Sequence, residues 1–333
     1  MTDIASIARS WRRDGRSGVL ARVIAARGLG TAANGDYTLV DDHNQVAAPL
    51  IGGALDARLP TLCAELSASN EANRLVTLAI DDRTADAAGL TCAGEVDVLL
   101  QRIDALPAEL WDALAAGQPV ALATSIGCAN ASVHLATRVV IGTFANATID
   151  DEVSQAATRL LSTPGNNHIA FAADGCNVVV QCWNPTPRVI ILGANALADA
   201  LRDQFALLGW NTTIVVDADV ATTTFADTHP GDAVLVLDHS PQASTPLLAA
   251  ALRANRGYVG ALGSRKTQVV RRSHLERAGA TEAELTRLHG PAGLDIGNRT
   301  AAETAVSIAA EIIAFRGGRS ARPLQSTTGT ITK

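Results

Sequence analysis

From Arg188 onward, short apolar runs alternate with stretches of helical spacing, and this alternation constrains the fold more than any other feature of the chain. Arg188–Leu192 is an apolar run, Ala196–Leu208 has helical periodicity with Gly209 as its stop, and Thr213–Val216 is a second run ending at Asp217. Asp232–Leu237 and Gly257–Leu262 repeat the strand pattern. Helices are expected near Pro246–Asn255, from Thr267 to Arg277, near Glu282–His289 and from Ala301 to Phe315. A strand that returns to its sheet through a helix lies parallel to the strand before it. The region therefore reads as an α/β, Rossmann-like, doubly wound parallel sheet covered on both faces.

Upstream, Trp183-Asn184-Pro185-Thr186-Pro187 carries prolines that neither a helix interior nor a central strand accommodates. The predicted organisation is an N-terminal α+β domain over 1–183, a linker over 184–187, the Rossmann-like domain over 188–318 and a polar tail over 319–333. In the N-terminal part, Val19–Ala26, Tyr37–Val40, Leu75–Ile80, Glu95–Gln101 and Val139–Phe144 read as strands. Thr2–Trp11, Leu55–Ser67 and Pro107–Ala116 read as helices.

Of 333 residues, 47% are hydrophobic and 18% charged, which excludes a disordered or tail-like chain. The 27 Lys+Arg against 33 Asp+Glu give a net charge of −6, so no global field attracts nucleic acid or an anionic membrane, and any anion site must be local. The N-terminal residues lack the apolar core of a secretion signal and no run is long enough to span a membrane, so a cytoplasmic chain is expected. Cys63, Cys92, Cys128, Cys176 and Cys182 show no Cys-x-x-Cys and no zinc spacing, so reduced thiols and no metal site are expected.

Gly193-Ala194-Asn195-Ala196-Leu197-Ala198 stands where a G-x-G-x-x-G/A fingerprint would join strand to helix, and Asp217 lies at about the distance of a ribose-binding acid. Asn195 replaces the glycine that lets a pyrophosphate approach the backbone. The loop is either a structural turn or a phosphate contact through its amides, and Asp217 either a ribose ligand or a solvated strand-end residue. His239, in Asp238-His239-Ser240-Pro241, also follows a strand at its carboxyl end, where open α/β sheets bind ligands. It is a bystander or a ligand or proton-transfer group.

A second loop is more specific. Gly257-Tyr258-Val259-Gly260-Ala261-Leu262-Gly263-Ser264-Arg265-Lys266 runs a Gly-punctuated strand into a turn and a helix. Its two cations oppose the helix dipole, and Lys266 is the one lysine besides the terminal Lys333. An anion among the amides, Ser264 and the two side chains would explain them; pairing with nearby carboxylates is the alternative. Further on, Thr300 and Glu303 have capping-box spacing. Ala305, Ile308, Ile312 and Phe315 form a core stripe, whereas Asp295 and Arg299 have no periodic reason to be present.

Together, the Gly193 loop, Asp238-His239, the Gly257–Lys266 block and Pro291-Ala292-Gly293-Leu294-Asp295-Ile296-Gly297-Asn298-Arg299-Thr300, followed by Glu303 and Ala309-Ala310-Glu311-Ile312-Ile313, resemble the XdhC/CoxI family. These are accessory proteins of molybdenum hydroxylases such as xanthine dehydrogenase. The resemblance is specific from about 257 to 315 and fair from 188 to 256. It is thinner upstream, where Gly52-Gly53-Ala54-Leu55-Asp56 looks like the family's Gly-Gly-Cys-x-Glu and Leu90-Thr91-Cys92-Ala93-Gly94-Glu95 like its Gly-Cys-Gly-Gly segment. Asn195, Ala54 and the missing Ser-x-Pro-Arg-like turn near Gly28–Gly35 depart from the family's pattern, as expected of a divergent paralogue.

The resemblance implies a non-catalytic maturation factor that binds molybdenum cofactor (molybdopterin), protects it and delivers it to a molybdenum hydroxylase, with a cysteine desulfurase as second partner and a homodimer as a possible assembly. A carrier of such a cofactor needs an anion site and hydrogen bonds to the pterin edge. Ser264, Arg265, Lys266 and the amides of Gly193 and Gly263 are candidates for the phosphate, Asp295 for pterin N–H groups, and Cys92 as a thiol. Two other readings stand beside it: an NAD(P)-dependent oxidoreductase built on the Gly193 loop and Asp217, and a scaffold that has kept the fold without the cofactor.

Overall fold

The computed structural model describes residues 4–29, 36–163, 168–225, 229, 231–238, 240–254 and 257–328. The chain forms two compact units that divide between Asn184 and Pro185.

The first unit is built on two antiparallel sheets. Strands β1 (Gly18–Arg27), β2 (Tyr37–Asp41), β3 (Asn73–Ile80) and β4 (Gly94–Arg102) pair in the order β2-β1-β4-β3. Strands β5 (Val120–Ser125), β6 (Ala131–Leu135), β7 (Val140–Gly142), β8 (His168–Ala173) and β9 (Cys176–Trp183) pair as β7-β6-β5-β9-β8. Side chains alternate along β1. Val19, Ala21 and Val23 pack with Leu59, Cys63 and Leu66 of α2 (Leu59–Ala68), while Leu20 joins Leu122, Val133 and Trp183 of the second sheet. On the far side, Ala121, Ala123, Val178 and Val180 meet Ile149, Val153 and Leu160 of α5 (Ala147–Ser162). The unit is therefore four layers: helix, sheet, sheet, helix. Helices α1 (Ile4–Arg13) and α4 (Ala108–Ala115) add Ala8, Trp11, Leu110 and Trp111 to the core between the sheets. The short α3 (Asp82–Ala87), capped by Asp81, adds Ala85 to the outer one.

Periodicity marks β1 to β4 but not most of the second sheet. Val120–Ser125 is buried along its whole length, with one face on the first sheet and the other on α5, so it has no polar alternation to report. Leu55 precedes α2 rather than starting it, because Ile51–Arg58 forms successive turns before the helix begins at Leu59.

The second unit is a parallel five-stranded sheet. Strands β10 (Arg188–Leu192), β11 (Asn211–Val215), β12 (Ala233–Val236), β13 (Tyr258–Ala261) and β14 (Leu288–His289) are ordered β11-β10-β12-β13-β14. Val189, Ile191, Leu235 and Tyr258 face α6 (Ala196–Leu207) and α11 (Ala301–Arg316). Ile190, Leu192, Val234, Val236 and Val259 face the other side, where α7 (Ala218–Phe225), α8 (Pro241–Ala254), α9 (Arg265–Arg277) and α10 (Glu282–Leu285) pack. The expected doubly wound sheet is present, and its strand order is 2-1-3-4-5, which puts the switch point between β10 and β12.

Three local expectations change. The segment near Glu282–His289 is a single helical turn followed by edge strand β14, which pairs with β13. Helix α8 starts five residues before Pro246, at Pro241, whose fixed φ suits a first helical position. Helix α7 is an addition to the expected helices, and it contains the β-branched Thr222, Thr223 and Thr224. In the helix, their hydroxyls donate back to the carbonyls of Ala218, Asp219 and Val220 at 2.7, 3.0 and 2.8 Å. Among the described residues, no helix is long and apolar enough to cross a membrane, and no His, Cys, Asp and Glu grouping has the makings of a metal site. The five cysteines are free, and burial pushes the Cys63 thiol up to about 12.

Candidate functional site

All five strands of the second unit point the same way, so the loops that follow them share one rim. At the switch point, Gly193 has φ +112°, a conformation that L side chains rarely adopt. A Cβ there would lie 3.3 Å from the Asp238 nitrogen and from Leu237 Cβ. The loops after β10 and β12 thus abut directly. Ladder bonds continue past the strand ends, from Gly193 N to the Val215 carbonyl (2.8 Å), from Leu237 N to that of Leu192 (2.9 Å) and from Leu262 N to that of Val236 (2.8 Å).

Asn195 caps α6. Its Oδ1 accepts from Leu197 N and Ala198 N, both at 3.0 Å, and so occupies two of the amides that a phosphate would use. Exposed Asp217 does the same at the start of α7, accepting from Asp219 N at 2.8 Å and Val220 N at 3.0 Å. Both fingerprint residues therefore have structural duties. His239 lies outside the described residues; its neighbour Asp238 accepts from Ser240 N at 3.0 Å.

The start of α9 is more open. Ser264 caps the helix by accepting from Thr267 N at 3.2 Å, which leaves the amides of Arg265 and Lys266 without an intrahelical acceptor. Both side chains are exposed, and neither makes an ion pair among the described residues, contrary to the carboxylate-paired alternative. Gly263, at φ +124°, packs where a Cβ would lie 2.9 Å from Thr267 Cγ2.

Two side chains on the inner face of α9, neither anticipated, bind these loops together. Gln268 Nε2 donates to the carbonyls of Ala261 (3.2 Å) and Gly263 (3.3 Å). Arg271, fully buried, donates from Nη1 to the Leu262 carbonyl at 2.9 Å and to Gln268 Oε1 at 2.8 Å, and from Nη2 to the Asp238 carbonyl at 3.4 Å. Burial pulls its pKa down, partly countered by the Asp238 carboxylate. One sequence signal existed: Arg271 lies one turn before Leu275, the buried apolar residue of the same helix.

Exposed Asp295 belongs to a strap that runs beside α11. Glu311 accepts from Gly293 N at 2.6 Å, from Tyr258 Oη at 2.5 Å and interacts with His289 Nδ1 at 2.9 Å. Ser307 Oγ donates to the Leu294 carbonyl at 2.6 Å. Burial pushes the Glu311 carboxyl up, but these hydrogen bonds together outweigh it and hold it below the ordinary range. Glu303 closes the capping box with Thr300, as its spacing predicts, and also accepts from Arg299 N at 2.6 Å. Of the core stripe, Ala305, Ile308 and Ile312 are buried while Phe315 is 41% exposed. The structure thus ties Asp238, against which Gly193 packs, to the turn at Leu262 and Gly263 through Arg271 and Gln268, while Gly293 and Leu294, just before Asp295, are held separately by α11. Cys92 is exposed in the first unit, just before β4.

Residues 189–312 match the family model described as the XdhC Rossmann domain. The molybdenum cofactor insertion chaperone PaoD of Escherichia coli (strain K12) is 29% identical over 160 residues, covering 48% of this chain and 49% of PaoD. The uncharacterized protein YqeB of the same organism is 25% identical over 210 residues, covering 52% of this chain and 38% of YqeB. The chain thus spans about half or less of the length of these curated relatives. A crystal structure described as a xanthine dehydrogenase from Bacillus halodurans shares the fold over 98% of both chains, with a TM-score of 0.61 and 20% identity. Over residues 189–312, then, the chain carries a domain of the kind described as the XdhC Rossmann domain.

Proposed function

We propose that this protein is a molybdenum cofactor insertion chaperone, which holds the cofactor at the carboxyl rim of its parallel sheet and hands it to a molybdenum hydroxylase in the cytoplasm. The similarity to PaoD carries this reading. The rim supports it with a fixed, anion-favouring turn: two cations in no ion pair among the described residues and two amides without intrahelical acceptors at Arg265 and Lys266, on loops clamped by Arg271. When bound, the cofactor supplies a phosphate, a hydrogen-bonding pterin and a metal held by a dithiolene; this chain's residues bind and shelter it. In our reading the α9 turn takes the phosphate, because Asn195 already fills its share of the α6 amides. Asp295, on its strap, is the acceptor for pterin N–H groups. The same Asn195 and Asp217 contacts weigh against an NAD(P)-dependent oxidoreductase.

Purification from a cofactor-producing host, followed by oxidation and pterin fluorescence, tests the reading. Stoichiometric pterin that falls about tenfold in Arg265→Ala/Lys266→Ala is expected, whereas pterin-free protein would overturn it. Co-purification from the same host tests the hydroxylase, the cysteine desulfurase and a second copy of the chain as partners.

A further inference from the structure

Among the described residues, the two antiparallel sheets of the first unit end in the edge strands β2, β3, β7 and β8, and an edge offers unpaired backbone groups to any other strand. The first three are blunted. Beyond β2, Ala47 N donates to the Leu39 carbonyl at 2.8 Å and Asp41 N to that of Gln45 at 3.1 Å, so residues 45–47 cover it. Along β3, Arg58 Nη1 donates to the Ala79 carbonyl at 2.9 Å, and Arg74 pairs with Glu71 at 2.8 Å. Strand β7 is only three residues long. Strand β8, His-Ile-Ala-Phe-Ala-Ala, has none of these devices: it carries no Asp, Glu, Lys, Arg or Pro, and its register is unbroken from His168 opposite Gln181 to Ala173 opposite Cys176.

The hairpin fixes which groups face outward. Asp174 (φ +51°) and Gly175 (φ +80°) form a two-residue turn, so Ala173, Phe171 and Ile169 hydrogen-bond β9, and the N–H and C=O groups of His168, Ala170 and Ala172 point away from it. The Asn177 carbonyl of β9 accepts from Ile126 N, on the β5 side, at 2.8 Å, in agreement with this phase. Ala170 and Ala172 are exposed, and the outward groups have no hydrogen-bond partner among the described residues. We propose that a second copy of this chain pairs here, β8 antiparallel to β8 about a twofold axis at Ala170, joining two five-stranded sheets into one. The strand is its own complement in this register. Ala170 meets the partner's Ala170, and His168 meets the partner's Ala172. On the face that packs on α5, half-buried Ile169 meets the partner's Phe171, a favourable pairing of β-branched with aromatic side chain. Charge agrees as well. Asn146, just before α5, donates to Asp174 at the end of β8 at 2.6 Å, so α5 runs antiparallel to β8. The twofold therefore sets the two α5 helices antiparallel, with exposed Arg159 in the last turn of each toward exposed Asp151 and Glu152 near the start of the other. An unrelated extended peptide would satisfy the same backbone groups but bring no such helix. The pairing does not depend on the cofactor reading.

Sedimentation of the intact chain tests the proposal: a dimer is expected, and a monomer at the highest soluble concentration would overturn it. Ala170→Pro removes an outward N–H that β9 does not use, and should weaken self-association about tenfold or more, because the twofold duplicates the lesion. Cysteine crosslinking reads the register. Under oxidation, Ala170→Cys should link to its own copy, identified by the mass of the joined peptides, whereas Ala172→Cys should link to His168→Cys and not to itself. The Ala170 and Ala172 amides should also gain protection from exchange as the concentration rises. A dimer in which Ala170→Cys does not link, or one that keeps its affinity in a folded Ala170→Pro, would mean that the copies meet elsewhere and would also overturn the proposal. If Ala170→Pro does not fold, crosslinking and exchange still decide. Pterin is assayed separately on the same preparations, so a dimer without pterin counts against the cofactor reading alone.

Discussion

Arg22 and Arg271 are both fully buried guanidiniums that hydrogen-bond neutral oxygens, in opposite kinds of place. The acceptors of Arg22 are side chains of three other strands in the middle of a sheet-on-sheet core. Two of the three acceptors of Arg271 are loop carbonyls at a strand-end rim, the third being Gln268 on its own helix, and a carboxylate stands nearby. The first is a problem of stability, since charge in a core costs free energy unless it is compensated. The second is a problem of shape, since a buried fork of donors can fix the carbonyls of loops beyond the strand ends. Burial alone thus does not tell what a buried cation does; the identity of its acceptors does.

That comparison breaks if the two arginines respond alike to substitution. Arg22→Ala leaves a cavity and strands three polar side chains, so a loss of about 3–5 kcal/mol in urea unfolding is expected. A loss under about 1 kcal/mol would mean these contacts do not hold the sheets together. Arg271→Met keeps most of the stem and removes the donors, so about 1–3 kcal/mol is expected. Its signature should be local: faster amide exchange at Leu237, whose bond lies beside Asp238, and at Leu262, with little change on β1 or β5.

Glu311 sharpens the comparison, being a half-buried anion whose partners are plainly visible. Glu311→Gln should cost about 1–2 kcal/mol at neutral pH. Because the folded-state pKa is depressed, this contribution is complete above the ordinary carboxylate range, about pH 4.3, and is lost as the pH falls through the lower folded value. Parent and variant should therefore converge in stability on acidification below about pH 4, and a gap constant down to pH 3 would refute the assignment. Asn195→Ala should cost about 1 kcal/mol through its cap. The smallest effect on folding is expected for Arg265→Ala/Lys266→Ala, a gain of about 0.3–1 kcal/mol for each relieved charge. Calorimetry with a phosphate-bearing ligand should show affinity at least tenfold weaker in the same variant. A large stability loss with unchanged affinity would make the pair structural.

Legibility in the sequence followed the range of the interactions. Strand β10 occupies the residues the apolar run marks, because a strand buried on both faces and closed by a glycine turn is a local signal. The Thr300–Glu303 box could be read for the same reason, its partners being three residues apart. Arg271 and Glu311 could not, since Leu262, Asp238 and Gly293 become their neighbours only after the sheet forms. Arg22 was hidden differently. Among Val19, Leu20, Ala21 and Val23 it looks like a polar residue on a solvent face, but β1 has a core on each side, so its alternation separates two interiors rather than inside from outside. The Gly193 loop was legible in place but not in use, because a motif with one glycine replaced does not say that the replacement will take up the helix amides itself.

Asn195 has a kinetic consequence. Its carboxamide is a tethered competitor, present at the α6 terminus at an effective concentration that no free nucleotide matches. A guest that seeks those amides must first swing the side chain away, so weak anions are turned aside while the neighbouring α9 turn remains open. Under the proposed function, one side chain would thus divide the rim into a guarded half at α6 and a receptive half at α9.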